Sequence, residues 1–181
     1  MLGQGAGGRA CPTVGQSMFD GFVFSDQMDA FFGLRIRDAD DFDVLDLPGP
    51  LWQHLYLVDV SRDGSLIIRL CGSFLSDVFK RPLKGVDLRS IVHGEQSAQV
   101  LALYEEAGRT GQAFAVQQTV YLPAQGYVMR VECAMRPLWD RGRPARILGC
   151  FFVDRRFERE SQDRGQIQTK IRIELPEPHA V

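Results

Sequence analysis

The chain has 181 residues, 45% hydrophobic and 24% charged, which is ordinary for a folded domain able to bury a core without disulfide staples. With 21 basic against 23 acidic residues the net charge is −2, so no surplus of cations exists to displace counterions from nucleic acid or to hold an anionic membrane surface. No apolar run approaches the ~20 residues needed to cross a bilayer, and residues 1–16 lack the apolar stretch of a secretory signal.

In chain order, residues 1–17 hold five glycines and few large apolar groups, and read as a flexible tail. Residues 18–50 form an N-terminal cap segment. Here Phe19, Phe22, Phe24, Phe31 and Phe32 stand among polar residues, followed by Leu34, Ile36 and an acidic run over 38–43. Such a segment is too aromatic to stay solvated, and is expected to dock its rings on another surface. Pro48-Gly49-Pro50 marks a boundary. Residues 54–60 and 66–71 read as strands of a hairpin joined by Ser61-Arg62-Asp63-Gly64. Gly72 breaks the second strand, and Ser73 is the expected N-cap of a helix over 74–79. Residues 87–92 add a helical turn or two. Val100, Leu103, Tyr104 and Ala107 share one face of a long helix over 95–109, with Gly108 and Gly111 at its end.

Three strands follow, over 114–122, 127–135 and 146–153. The middle one alternates Tyr127, Met129, Val131, Cys133 and Met135 against Arg130, Glu132 and Arg136, the period of a sheet with one wet face. Residues 137–144 read as a polar loop. The run over 146–153 suits a central strand buried on both sides. Residues 155–181 are a charged C-terminal extension in which Ile171, Ile173 and Leu175 precede a Pro-rich end. Strands and helices segregated in this way define an α+β domain over residues 51–154.

Local residues carry a resemblance to a known family. Leu51-Trp52-Gln53-His54-Leu55, then Val58-Asp59-Val60, Asp63-Gly64 and Ile68-Arg69-Leu70-Cys71-Gly72 resemble the start of a bacterial single-domain subfamily of PAS domains, with a Trp-centred opening and an Arg-Leu-x-Gly segment. Phe79-Lys80-Arg81-Pro82-Leu83-Lys84-Gly85 is similar to that subfamily's short link. Ile91-Val92-His93-Gly94-Glu95 resembles the step into the long helix, with Gly94 where proline is usual. The resemblance implies a five-stranded antiparallel sheet carrying short helices and one long helix on one face, and a sensory, non-catalytic role.

Candidate chemistry is sparse. The histidines are His54, His93 and His179, none inside the long helix, which disfavours haem. No cysteine lies in 74–92, which disfavours flavin–thiol photochemistry. The four cysteines (Cys11, Cys71, Cys133, Cys150) lack metal spacing and read as reduced thiols of a cytoplasmic protein. Cys133 and Cys150 are placed to face one another on neighbouring strands, although packing is the preferred role for both. Phe74, Phe79, Leu83, Val100, Leu103, Met129, Val131, Cys133 and Phe151 would line a ligand pocket if one exists, and would otherwise fill the core. Arg69, Arg130 and Glu132 are expected in cross-strand ion pairs on the wet face. No nucleophile, phosphate loop or metal motif is present, so an enzyme is not expected. The expected function is bacterial signalling by association with a protein partner or a second copy, in motility, development or cell-cycle control. The phenylalanines of 19–32 would supply the contact surface, with no cofactor or an unidentified small molecule bound. A small-molecule receptor is the alternative, and a small α+β enzyme of unrecognised type comes third.

Overall fold

A left-handed turn at Gly64 (φ +80°) closes the first hairpin, as its Asp-Gly sequence requires, and joins β1 (Leu55–Val60) to β2 (Leu66–Cys71). The structure is a computed structural model and describes residues 19, 21–91, 95–122, 127–154 and 169–175, without the side chains of 95–97, 119–122, 127–129 and 169–175. Three further strands, β3 (Ala113–Leu122), β4 (Tyr127–Asp140) and β5 (Arg143–Asp154), complete the antiparallel five-stranded sheet that the resemblance implies. A sixth strand, β6 (Thr169–Leu175), pairs with the edge of β3 and gives the order β2-β1-β5-β4-β3-β6. The charged extension therefore contributes to the sheet.

One sheet face carries the helices. Side chains of α2 (Ser73–Phe79) and α3 (Glu95–Thr110) meet Tyr56, Val58, Ile68, Phe114, Val116, Cys133, Met135 and Ile147 in one buried cluster. Two details differ from expectation. Gly72, not Ser73, is the N-cap of α2. A side chain at Gly72 would strike the backbone carbonyls of Trp52 and Gln53, so the glycine permits a close crossing of two backbones. Gly108 lies inside α3 and lets it approach β1, where an added Cβ would sit 3.0 Å from Val60 Cγ1. Gly111 alone ends the helix, at φ +77°.

The expected loop over 137–144 is strand. β4 runs on to Asp140, and Arg141 and Gly142, both at positive φ, turn it into β5. Pro137 is tolerated because β3 reaches no further than the Phe114–Met135 pair, so no ladder partner needs its missing N–H. Beyond that point the cap segment takes the place of a strand: Trp139 N–H donates to Arg37 O and Ala39 N–H to Trp139 O, each at 2.8 Å.

The opposite face is also covered. Residues 19–54 contain α1 (Ser25–Phe32) and two short 3-10 turns, the second of which begins at the Pro48-Gly49-Pro50 boundary. This cap lays Phe19, Phe22, Met28 and Phe31 on Leu55, Leu57, Ala115, Ala134, Leu138, Leu148, Cys150 and Phe152. The sheet is thus the middle of three layers. No helix among the described residues is long and apolar enough to cross a membrane.

Candidate functional site: the interface of cap and sheet

Aromatic packing drives the docking of the cap. Phe19 stacks on Phe32 at 5.1 Å and meets Phe22 edge-on at 5.7 Å, while Phe24 stacks on Phe152 of β5 at 5.1 Å. Fully burying a Phe or Met side chain contributes ~1.5–3 kcal/mol. All five cap phenylalanines singled out in the sequence belong to this cluster or pack against it.

Apolar contact alone would let the cap slide. Its register is set by charged side chains that project from the sheet. Glu132 of β4 is fully buried and accepts backbone N–H bonds from Val23 at 2.8 Å and Phe24 at 2.9 Å, with Gln117 Nε2 donating at 2.6 Å. Phe24 is the N-cap residue of α1, which has no capping side chain of its own. The carboxylate from β4 thus lies by the positive end of the helix, where negative charge is favoured. Four residues further along β4, Arg136 donates to Leu34 O at 2.6 Å. Arg146 of β5 donates to Ala39 O at 2.8 Å and pairs with Asp59 at 3.3 Å. A buried charge is tolerable only when its lone pairs are used, and Glu132 meets that condition with three donors.

The face of Glu132 and Arg136 is therefore not wet, and among the described residues Glu132 forms no cross-strand ion pair with a cation. It holds backbone instead. Arg69 does make the expected kind of contact, 3.4 Å from Asp59 across the hairpin. Arg130 stands opposite Asp154 in the ladder.

Of the nine residues proposed to line a pocket, Leu83, Val100 and Cys133 belong to the helix-side cluster, and Phe79, Leu103 and Phe151 pack against it. Val131 is buried on β4. Phe74 goes elsewhere, onto the His54 ring at 4.5 Å. The Met129 side chain, His93, His179 and Cys11 lie outside the described residues. None of those described lines an open groove of about 620 Å³ at the sheet edge, where Arg69, Lys84 and Arg146 are found. Inside the helix-side cluster the hydroxyls of Tyr56 and Tyr104 are hydrogen-bonded to each other, and burial holds both phenols well above their usual range.

Cys133 and Cys150 do not face one another. Cys133 pairs with Phe151 and points to the helices, whereas Cys150 pairs with Ala134 and points to the cap. Burial pushes the Cys133 thiol up to about 12 and raises Cys150 and Cys71 as well, the opposite of a sensor thiol. No cluster of three His, Cys, Asp or Glu side chains suited to a metal occurs among the described residues.

No protein-family model and no curated protein matches the chain. Among solved structures, the LOV protein of Rhodobacter sphaeroides is similar at 19% identity with a TM-score of 0.47, covering 72% of this chain and 68% of that one.

Proposed function

We propose that this chain is a non-enzymatic PAS-like signalling module, cytoplasmic and bacterial, that acts by association with a protein partner or a second copy of itself. The cap is its two-state element: docked over the sheet in one state, released in the other, with the exposed sheet face and the freed phenylalanines offered to the partner. One observation carries the reading. A buried carboxylate, Glu132, is spent on two backbone N–H groups of the cap, so the interface is held partly by bonds that water can replace once the cap lifts.

The test uses the full-length chain and its Glu132→Ala variant, with removal of residues 1–47 as a third sample. Light scattering should show an increased mass for both altered proteins, or immobilised protein should capture a partner that the parent captures less well. Equal mass and equal capture in all three would contradict the proposal.

A further inference from the structure

The groove at the hairpin edge has walls from two layers. Phe42 and Val44 come from the cap and Leu70 from β2, each half-buried against the cap-side cluster. Its polar lining is unbalanced. Arg69, Lys84 and Arg146 all line it. Against these three cations stand two carboxylates: Asp59, shared by two guanidiniums, Arg69 on one oxygen and Arg146 on the other, and Asp43, which also lines the groove and accepts the Leu45 backbone N–H at 2.9 Å. Lys84 is exposed and has no ion-pair partner among the described residues. In a chain whose net charge is −2, this is a place short of an anion. Its volume of about 620 Å³ falls within the range of small-molecule sites.

We propose that this groove binds a small amphipathic anion, a carboxylate joined to an apolar chain. The cations complement the head group, and Phe42, Val44 and Leu70 take the chain. An inorganic anion would leave that apolar wall hydrated, and a neutral lipid would leave the cations without a partner. Because the ligand would touch cap and sheet together, its binding holds the cap down; this last step rests on the cap reading above.

Dodecanoate below its micellar concentration is titrated calorimetrically into the full-length protein, with dodecanol, acetate and inorganic phosphate as comparisons. Saturable binding of dodecanoate alone is expected, weakened about tenfold in Lys84→Glu and further in Arg69→Glu/Lys84→Glu. Lys84 is exposed, so its variant should keep the parent near-ultraviolet spectrum. No saturable binding, equal binding of dodecanol, or unchanged affinity in both variants would overturn the site. Hydrogen exchange of residues 21–47 is followed in the same samples. Slower exchange with dodecanoate, lost in Lys84→Glu, supports the coupling. Binding without slower exchange keeps the groove and removes the link to the cap.

Discussion

Glu132 Oε2 lies 2.9 Å from the backbone nitrogen of Phe24, across 108 residues of sequence and between two layers of the fold. The partner atom is main chain, so no change of side chain at Phe24 can replace it. Substituting Glu132 by Ala orphans two N–H groups at a buried interface, at roughly 1–3 kcal/mol for each donor left without a partner. A loss of about 2–4 kcal/mol is expected in urea unfolding. Gln at the same position keeps one acceptor oxygen and should recover part of that loss. A variant as stable as the parent would show that the carboxylate does not hold the cap.

The tyrosine pair gives a sharper stability test. Tyr56→Phe leaves the Tyr104 hydroxyl buried without its partner, and Tyr104→Phe does the converse. Each single change should cost about 1–2 kcal/mol, while the double variant should cost less than the sum, since no orphan remains. A double-mutant cycle read by thermal unfolding measures this. Strict additivity would mean that the two hydroxyls are not coupled.

Tyr56 also explains a glycine. It stands opposite Gly149 in the β1–β5 ladder, and a methyl at Gly149 would fall within its ring. Gly149→Ala should therefore destabilise by more than ~1–3 kcal/mol, unless Tyr56 is made smaller in the same protein. Partial rescue by Tyr56→Ala is the expected outcome in denaturant melts.

His54 predicts a direction with pH. Burial lowers its pKa below the ordinary 6.5, partly offset by its ring nitrogen's hydrogen bond to Phe151 O at 3.0 Å. The unfolded chain thus binds the proton more readily than the folded one. The stability that this provides is complete above the unfolded pKa and is lost as pH falls from about 6.5 through the folded value. Unfolding free energies compared between the parent and His54→Asn should show a shallower fall in the variant between pH 7 and pH 5. Parallel curves would remove His54 from the account.

Thiol reactivity should follow burial. With its pKa pushed up to about 12, Cys133 should resist iodoacetamide at pH 8 as long as the fold is intact, and Cys150 likewise. Half-buried Cys71 should react first of the three. Peptide mass mapping after timed alkylation resolves the order.

Much of the fold was legible because local chemistry announces it. The Asp63-Gly64 turn, the face of α3 bearing Val100, Tyr104 and Ala107, and the alternation of β4 all appear in the structure. The cap lock was not legible. Glu132 and Arg136 alternate with apolar residues as solvent-facing side chains do, and their partners are backbone groups with no sequence signature. Cys133 and Cys150 needed the ladder register: a pairing of Cys133 with Phe151 sends the two thiols to opposite faces. The continuation of β4 through 137–140, expected as loop, was not legible because the sequence does not reveal where β3 stops.

The central claim is that the cap opens as a unit of its own. Native-state hydrogen exchange followed by mass spectrometry tests it most directly. Residues 21–47 should exchange through an opening of lower free energy than that of β1, β4 and β5, and Glu132→Ala should lower this opening more than the global one. Cap and sheet exchanging together, with Glu132→Ala shifting both equally, would contradict the account.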